Sequence, residues 1–179
     1  MSTVTLGLSP KDREMLVSDP NPTVSRADAL LARADQLCRA RHLKLTGLRR
    51  RILDALARTE QPLGAYDLAD RLSRPGSRIA PISVYRALAF LTDLGLVHRI
   101  ATRNAYVSCG CRHRAGEAVV LLVCTRCSRV LETSSAELER GLDGTVASVG
   151  FKPLSHMVEI EGECAVCGTV EPAHEHGHE

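Results

Sequence analysis

The sequence contains no tryptophan, and its only aromatic residues besides histidine are three tyrosines and two phenylalanines. A core must therefore be built from Leu, Val, Ala and Ile, as is ordinary for a globular protein. No apolar run approaches the roughly 18 residues that a membrane-spanning helix needs. The first residues also lack the basic-then-apolar pattern of a secretory signal, so we expect a cytoplasmic protein.

The common signatures of catalysis are absent as well. The sequence has no phosphate-cradling glycine loop, no HExxH helix and no recognisable Ser/His/Asp order. We therefore expect a protein that is not an enzyme.

The charges are unevenly distributed, although the formal net charge is only +2. The basic first part of the chain predicts that its partner is a polyanion. The alternative is that these basic residues simply form the solvated surface of helices. The acidic residues crowd the end of the chain, and the basic residues of its first two thirds include Arg39, Arg41, Lys44, Arg49, Arg50, Arg51, Arg71, Arg74, Arg78, Arg86, Arg99 and Arg103.

Four of the seven cysteines form two Cys-x-x-Cys pairs, Cys124 with Cys127 and Cys164 with Cys167. Two such pairs offer four thiolates to a tetrahedral ion, which predicts a closed, structural zinc site. Disulfides and a thioredoxin-like redox pair are the alternatives. Disulfides are less suited to a chain without a secretory signal, and we predict no βαβ unit around either pair.

A chain of 179 residues is long enough to form two small domains. The basic residues lie mainly in the first part and the two cysteine pairs in the second, so we predict two domains. Residues 1–23 have no apolar period and predict a mobile arm. In the first half, helical spacing and capping residues predict four helices, starting at Ser25, at Thr46, after Gly64 and at Ile82. Strands over 96–100 and 105–108, joined by a polar turn, predict a hairpin. Helices followed by a hairpin predict a winged helix-turn-helix over residues 24–108.

The second half predicts a small α/β unit over residues 118–170, so the fold class is α+β. Its predicted strands cover 118–123, 128–132 and 153–160, and a helix covers 134–149. Such a sheet leaves an edge and a face uncovered, so we expect a symmetric dimer formed there. Residues 109–117 predict a hinge, and the His-rich residues 171–179 predict a flexible tail that could bind metal incidentally.

The fourth predicted helix has the pattern of a DNA-reading helix. Val84, Leu88 and Leu91 share its inward face, which leaves Ser83 and Arg86 directed outward. Arg86 could pair with guanine or bind a phosphate, and the alternative is a surface salt bridge.

A second group of possible ligands lies around the junction of the two halves. It comprises His98, Cys109, His113, Glu117 and Glu132. A mixed set of nitrogen, sulfur and oxygen donors can bind zinc more weakly and reversibly than four thiolates, as a sensor must. Each residue alone could instead be a surface histidine, a buried thiol or a solvated acid.

Three further residues have no predicted role that we can single out. Cys111 could be a ligand or an oxidisable thiol. Cys38 lies on an apolar helical stripe, which predicts a core position. His156 could be a ligand or a packing residue.

With these motifs in view, the chain resembles the ferric-uptake-regulator family, most closely its zinc-uptake branch, over roughly Leu37 to Val170. The resemblance implies a dimeric repressor that binds operator DNA when zinc fills a sensor site and that controls zinc import and homeostasis genes. The stretches that carry it are Leu43-Lys-Leu-Thr-Gly-Leu-Arg49 with Ile52-Leu53, Ala65-Tyr-Asp-Leu68, Ser83-Val-Tyr-Arg-Ala-Leu88, Leu94-Gly-Leu-Val-His98 and both cysteine pairs.

The same resemblance implies roles for individual residues. Tyr85 and Arg86 match a base-contacting pair, and Lys44 matches a basic residue that reaches the minor groove. The two cysteine pairs match the structural zinc site. Three sensor ligands are implied, namely His98, Cys109 and Glu132.

The chain departs from its relatives at the fourth sensor ligand. Glu117 occupies the position where some relatives carry a histidine, and we favour His113 as the ligand, with Glu117 as the alternative. The His-rich stretch of iron-sensing relatives is replaced by Ala118-Val-Val-Leu121, which argues against iron and against a third site. A thiolate at Cys109 also favours zinc. We therefore expect two zinc ions per subunit, with an iron, manganese or peroxide regulator as the alternative.

Overall fold

The computed structural model of the chain describes residues 25–110 and 118–168. A helical first part and a hairpin precede a three-stranded sheet with one helix, so the fold is α+β. The elements in chain order are α1 (Arg26–Ala40), α2 (Gly47–Ala57), α3 (Ala65–Leu72), α4 (Pro81–Asp93), β1 (Val97–Ile100), β2 (Ala105–Ser108), β3 (Val119–Cys124), β4 (Val130–Thr133), α5 (Ala136–Ser148), β5 (Met157–Gly162) and α6 (Ala165–Gly168).

Local capping groups determine where the first helices begin. The Ser25 hydroxyl accepts a hydrogen bond from the Asp28 backbone N–H at 3.2 Å, and the Thr46 hydroxyl accepts one from the Arg49 N–H at 3.5 Å. Such caps satisfy donors that have no partner within the helix. Pro81 stands in the first turn of α4, where its missing N–H costs nothing. The starts of α1 and α2 agree with those predicted from the sequence, and α4 begins at Pro81, one residue before the predicted Ile82.

Helices α1 to α4 enclose one apolar core without any tryptophan. Val84, Leu88 and Leu91 of α4 are completely buried, as their spacing predicts. The opposite side of α4 is therefore turned away from the core. The other fully buried large side chains of the helices are Ile52, Leu53, Leu56 and Leu68.

The hairpin β1–β2 is attached to the helices by a short bridge. Its strands are antiparallel, and Leu63, in the loop before α3, exchanges backbone hydrogen bonds of 3.0 and 2.9 Å with Tyr106 of β2. This arrangement is a winged helix-turn-helix, in which α3 and α4 form the helix pair and the hairpin forms the wing.

The second sheet has the order β4-β3-β5, with β3 antiparallel to β4 and parallel to β5. Because α5 lies between β4 and β5 in the chain, the parallel pair is joined by a helical crossover. This connection also contains β4, which is antiparallel to β3, so it differs from a βαβ unit, in which a helix directly joins two parallel strands. The order strand, strand, helix, strand is the one predicted from the sequence.

Two predicted strand positions also differ from the structure. β4 starts at Val130 instead of Ser128, because Ser128 has a positive φ of 60° and its N–H closes a turn onto the Cys124 carbonyl at 3.0 Å. β5 starts at Met157 instead of Pro153. Pairing begins there because Met157 is the partner of Val119, the first residue of β3.

Helix α5 forms despite Gly141 and Gly144, but none of its residues is buried within this chain. The C-terminal unit thus has the uncovered face that its small size predicts. No helix in the described part of the chain has the length and apolar character needed to span a membrane.

Candidate metal centres and the DNA-facing helix

The two cysteine pairs meet because of the parallel register of β3 and β5. Cys124 is the last residue of β3 and lies opposite Gly162, the last residue of β5. Each strand then turns tightly, and the turns carry Cys127 on one side and Cys164 with Cys167 on the other. The two turns therefore face each other at one end of the sheet.

The four sulfur atoms lie within 4.8 Å of one another. The Sγ atoms of Cys127 and Cys164 are 3.8 Å apart. A tetrahedron with Zn–S bonds of about 2.3 Å has edges of about 3.8 Å, so this donor set fits a zinc ion. The set is closed, since four thiolates leave no position for a substrate.

The thiols influence one another's acidity. Backbone N–H groups of Cys127 and Cys164 donate to the Cys124 sulfur and lower the pKa of that thiol to about 6. Hydrogen bonds with the thiols of Cys127 and Cys164 raise the pKa of Cys167 to about 12. The backbone N–H of Cys167 also lowers the pKa of the Cys164 thiol. The cluster thus favours thiolate at two positions and resists ionisation at Cys167, and a divalent cation would shift this balance toward four thiolates.

A second cluster joins the wing to the C-terminal sheet. His98 on β1, Cys109 after β2 and Glu132 on β4 place their donor atoms within 4.8 Å of one another. Glu132 Oε1 lies 3.2 Å from His98 Nε2 and 3.5 Å from Cys109 Sγ. His98 and Cys109 are buried, and the set of one imidazole, one thiol and one carboxylate fits zinc with room for a fourth ligand.

Neighbouring groups orient two of these donors. The Gly110 backbone N–H donates to Glu132 Oε2 at 2.6 Å, which fixes the carboxylate. Arg33 of α1 reaches the Cys109 sulfur at 3.7 Å and the Gly95 carbonyl at 3.4 Å. Such outer contacts orient metal ligands and tune their basicity. Nothing in the local sequence around Arg33 indicates this contact.

His98 carries an unusual electrostatic environment. Burial lowers the pKa of His98, but hydrogen bonds and the charges of Cys109 and Glu132 outweigh burial and raise the pKa to about 9. The thiol of Cys109 and the carboxylate of Glu132 therefore stabilise a positive charge at this position. A metal cation would take the place of the proton.

Several predicted site residues lie outside the described residues, namely Cys111, His113, Glu117 and the His-rich tail. The choice between His113 and Glu117 as fourth ligand therefore stays a prediction. Two others are described. Cys38 is buried in the helical core, and the His156 ring lies 3.6 Å from Asp143.

The predicted DNA-contacting residues lie on or near one surface element. Arg86 of α4 is exposed, and no ion pair is found for it among the residues that the structure describes. Ser83 and Tyr85 are half-buried, and Lys44 is exposed before α2. Arg49 secures this region, since it lies over the Phe90 ring of α4 at 3.4 Å from the centroid and donates to the Lys44 carbonyl at 2.6 Å.

Tyr66 joins this surface although its role was not predicted. Its ring is 65% exposed and packs edge-to-face on Tyr85, with the centroids 6.4 Å apart. A large exposed aromatic ring packed on Tyr85 extends the polar and aromatic surface of α4. The sequence signal was an aromatic residue at an outward position of α3.

Comparisons with known proteins agree with this geometry. The model of the Ferric uptake regulator family matches residues 40–161. The chain is 33% identical over 142 residues to the zinc uptake regulation protein of Escherichia coli, which covers 79% of this chain and 83% of that protein. It is 32% identical over 106 residues to the zinc uptake regulation protein of Mycobacterium tuberculosis, over 58% of this chain and 78% of that protein.

The chain is also similar to solved structures of zinc uptake regulators. A zinc uptake regulator in complex with zinc and DNA superimposes with a TM-score of 0.75 at 31% identity, over 81% of this chain and 97% of that one. The structure described as holo XcZur superimposes with a TM-score of 0.69 at 32% identity, over 79% of this chain and 99% of that one.

Proposed function

This chain belongs to the ferric uptake regulator family, and we propose that it is a zinc-responsive transcriptional repressor, cytoplasmic and dimeric, that controls zinc uptake and homeostasis genes. The observation that carries the proposal is the cluster of His98, Cys109 and Glu132 at the joint between wing and sheet. A metal bound there would tie the DNA-reading half to the second half. The names of the zinc uptake regulation proteins that the chain resembles support the same assignment.

Two zinc ions per subunit follow from the two donor sets. Cys124, Cys127, Cys164 and Cys167 hold the structural ion, and His98, Cys109 and Glu132 hold the sensor ion with His113 or Glu117 as fourth ligand. Bound zinc supplies a rigid, redox-inert cross-link at each place. The thiol at Cys109 and the imidazole at His98 favour zinc over Fe(II) and Mn(II).

The DNA-contacting residues proposed here are Lys44, Ser83, Tyr85 and Arg86, with Tyr66 beside them. The exposed face of α4 suits the major groove, where an arginine can pair with guanine and an aromatic ring can contact thymine methyl groups. Basic residues in the first two thirds of the chain supply the attraction to phosphates.

A second copy of the chain is the partner we assign to the C-terminal unit. Large apolar side chains are exposed there, with Val149 at 77%, Phe151 at 64% and Leu154 at 98%. Helix α5 buries none of its residues within one chain. A symmetric dimer covers such a face and places two copies of α4 at a fixed spacing, as a palindromic operator requires.

The regulation we propose is a population shift. His98, Cys109 and Glu132 come together only when the wing lies against the sheet, so a metal that binds all three favours this closed arrangement. The closed arrangement in turn holds the two copies of α4 at the spacing of the operator. By linkage, operator DNA then raises the affinity for zinc by the same factor.

The direct test is zinc-dependent binding to the promoter of a zinc importer, measured by fluorescence anisotropy, with the zinc content determined on the same samples. We expect two zinc ions per subunit and operator binding that disappears when a mild chelator removes one of them. A matched duplex of scrambled sequence is the control. Operator binding that ignores zinc, or one zinc ion together with a labile iron, would favour the iron, manganese or peroxide alternative.

The thiol-disulfide oxidoreductase alternative has less support, although β3 and β5 form a parallel pair. All four sulfurs of the two pairs converge on one point, which suits a metal better than two redox pairs. Reduction of insulin disulfides by the zinc-loaded protein would support this alternative.

A further inference from the structure

The turn of the wing is attached to the C-terminal sheet by polar contacts outside both metal clusters. Glu159 of β5 accepts three hydrogen bonds from the turn between β1 and β2. Its carboxylate oxygens receive the Ala101 N–H at 2.6 Å, the Thr102 N–H at 3.2 Å and the Thr102 hydroxyl at 2.9 Å. These contacts span 57 and 58 positions in sequence.

The next residue of the turn contacts the structural cysteine cluster itself. Arg103 donates to the Ser128 hydroxyl at 2.9 Å and to the Cys124 carbonyl at 3.4 Å. Its guanidinium also lies 3.7 Å from the Glu161 carboxylate. Cys124 is a member of the cluster, and Ser128 follows Cys127 directly in the same tight turn.

An apolar contact supports this polar group. Ile100, at the end of β1, is completely buried and packs against Val119, Leu121 and Val123 of β3. The wing therefore contributes to the core of the second sheet. Isolated ion pairs at a surface contribute little, but several contacts that converge on a short turn beside a buried side chain can fix its position.

We propose that the turn of the wing docks on the turn from Cys124 to Ser128 of the four-cysteine cluster, and that Arg103 and Glu159 are positioning residues that hold the wing in the arrangement that binds DNA. The four-cysteine cluster then has a second task besides stabilising its own unit. It orients the Cys124 carbonyl and the Ser128 hydroxyl that receive Arg103. This inference rests on the proposed function for its effect on operator affinity, but the docking itself does not depend on DNA.

A different role for these residues would be direct contact of Arg103 with a DNA phosphate. The two roles give opposite results for Glu159→Gln. Removal of a negative charge near DNA strengthens binding if the wing merely contacts phosphate. Under the docking proposal the same substitution weakens binding, because the turn loses the acceptor that holds it.

The first experiment measures operator affinity at saturating zinc for Glu159→Gln, Arg103→Gln and the control Asp54→Asn. Asp54 of α2 makes an ion pair with Arg58, four residues further along the chain, so its substitution is a matched change of an acid to its amide outside the wing contact. We expect losses of about tenfold for the first two variants, within the usual range of coupling between sites, and no loss for the control. Tighter binding by Glu159→Gln would overturn the proposal.

The second experiment needs no DNA. Amide hydrogen exchange of Ala101 and Thr102 is followed in the zinc-loaded dimer, whose metal content is checked for every variant. Glu159→Gln should speed exchange at both amides by about tenfold, whereas Asp54→Asn should not. Unchanged exchange would refute docking whatever happens to operator binding. If Glu159→Gln speeds exchange but the unaltered protein shows no zinc-dependent operator binding, the docking is supported and the proposed function is contradicted.

A milder variant keeps the proposal testable if Glu159→Gln fails to fold. Thr102→Ala removes one donor to Glu159 from an exposed turn residue and leaves the carboxylate in place. It should speed exchange of the same two amides by a smaller factor, with an unchanged circular dichroism spectrum. No change in this variant together with an unfolded Glu159→Gln protein would count against the docking contact.

Discussion

The Nε2 atom of His98 lies 3.2 Å from the Oε1 atom of Glu132, although the two residues are 34 positions apart and belong to different sheets. Cys109 completes this cluster from the residue that follows β2. The three residues therefore report whether the wing and the C-terminal sheet are in contact.

We expect Cys109→Ser to lower the affinity of the sensor site by at least about tenfold, because a hydroxyl replaces the thiolate that zinc prefers. The zinc content of the purified protein should fall from two ions to one per subunit, and operator binding should no longer respond to zinc. Cys38→Ala is the matched control, since it removes a cysteine that is buried in the helical core. Normal zinc-dependent repression by Cys109→Ser would contradict the assignment.

Removal of the structural zinc should unfold the C-terminal unit and leave the helical unit folded. The helical unit has its own core, whereas α5 buries no residue within one chain. Structural zinc in small domains contributes on the order of 10 kcal/mol to folding. A strong chelator should therefore abolish the β-sheet signal and the dimer in circular dichroism and sedimentation experiments. Retention of both after complete zinc loss would show that the apolar contacts suffice.

Leu88→Ala should destabilise the helical unit by about 2–5 kcal/mol, because Leu88 of α4 is completely buried. Urea denaturation measures this loss. Ala89→Ser at the adjacent exposed position is the control and should change stability by less than about 0.5 kcal/mol. Equal effects of the two substitutions would mean that the burial of α4 is assigned to the wrong face.

Arg86→Ala and Lys44→Ala should weaken operator binding in different ways. A bidentate contact between Arg86 and guanine predicts a loss of about 1–3 kcal/mol and relaxed selectivity at one base pair. Loss of Lys44 should weaken binding to all sequences and lower the salt slope by about 1. Binding to a panel of single-base operator variants at several salt concentrations separates the two. A uniform effect of Arg86→Ala would make Arg86 a phosphate contact.

Glu159 provides a prediction for pH. Burial raises the pKa of Glu159, but the hydrogen bonds from Ala101 and Thr102 and the charge of Arg99 outweigh burial and lower the pKa. Arg103 and Glu161 are the other charged groups near this contact. The folded-state pKa thus lies below the unfolded value of about 4.3. Ionised Glu159 stabilises the fold above the unfolded pKa, and this contribution is lost as pH falls through the folded-state pKa.

The difference in Tm between the unaltered protein and Glu159→Gln should accordingly be constant from about pH 8 to about pH 5.5. It should shrink only in more acidic solution. Calorimetry at several pH values, with zinc content checked at each, measures this difference. A marked change near neutral pH would mean that the carboxylate is not held in its ionised form.

Much of the helical unit could be predicted from local signals. The caps Ser25 and Thr46, the proline that begins α4 and the inward spacing of its apolar residues each act within one or two turns of chain. The pairing of the Cys-x-x-Cys motifs could be predicted for a similar reason, because a shared ion demands that the four sulfurs meet.

The remaining features depend on contacts between distant segments. The start of β5 is determined by where Met157 meets Val119, and no residue near Pro153 signals it. The contact of Arg33 with Cys109 joins α1 to the end of the hairpin, 76 positions away. The contacts of Glu159 with the wing turn arise only after the two units pack together. Exposed arginine and glutamate residues are common, so the sequence offers no sign of which ones form such contacts.

The parallel ladder between β3 and β5 runs without interruption from Val119 and Met157 to Cys124 and Gly162. The distances between the four sulfurs are thus determined by the pairing of β3 with β5 and not by the number of residues between the two strands. The segment between Ser148 and Met157 can consequently change in length without altering the tetrahedron. A short peptide tag inserted after Gly150 should therefore leave metal coordination intact while it disrupts the apolar face around Val149 and Phe151 that we assign to the dimer.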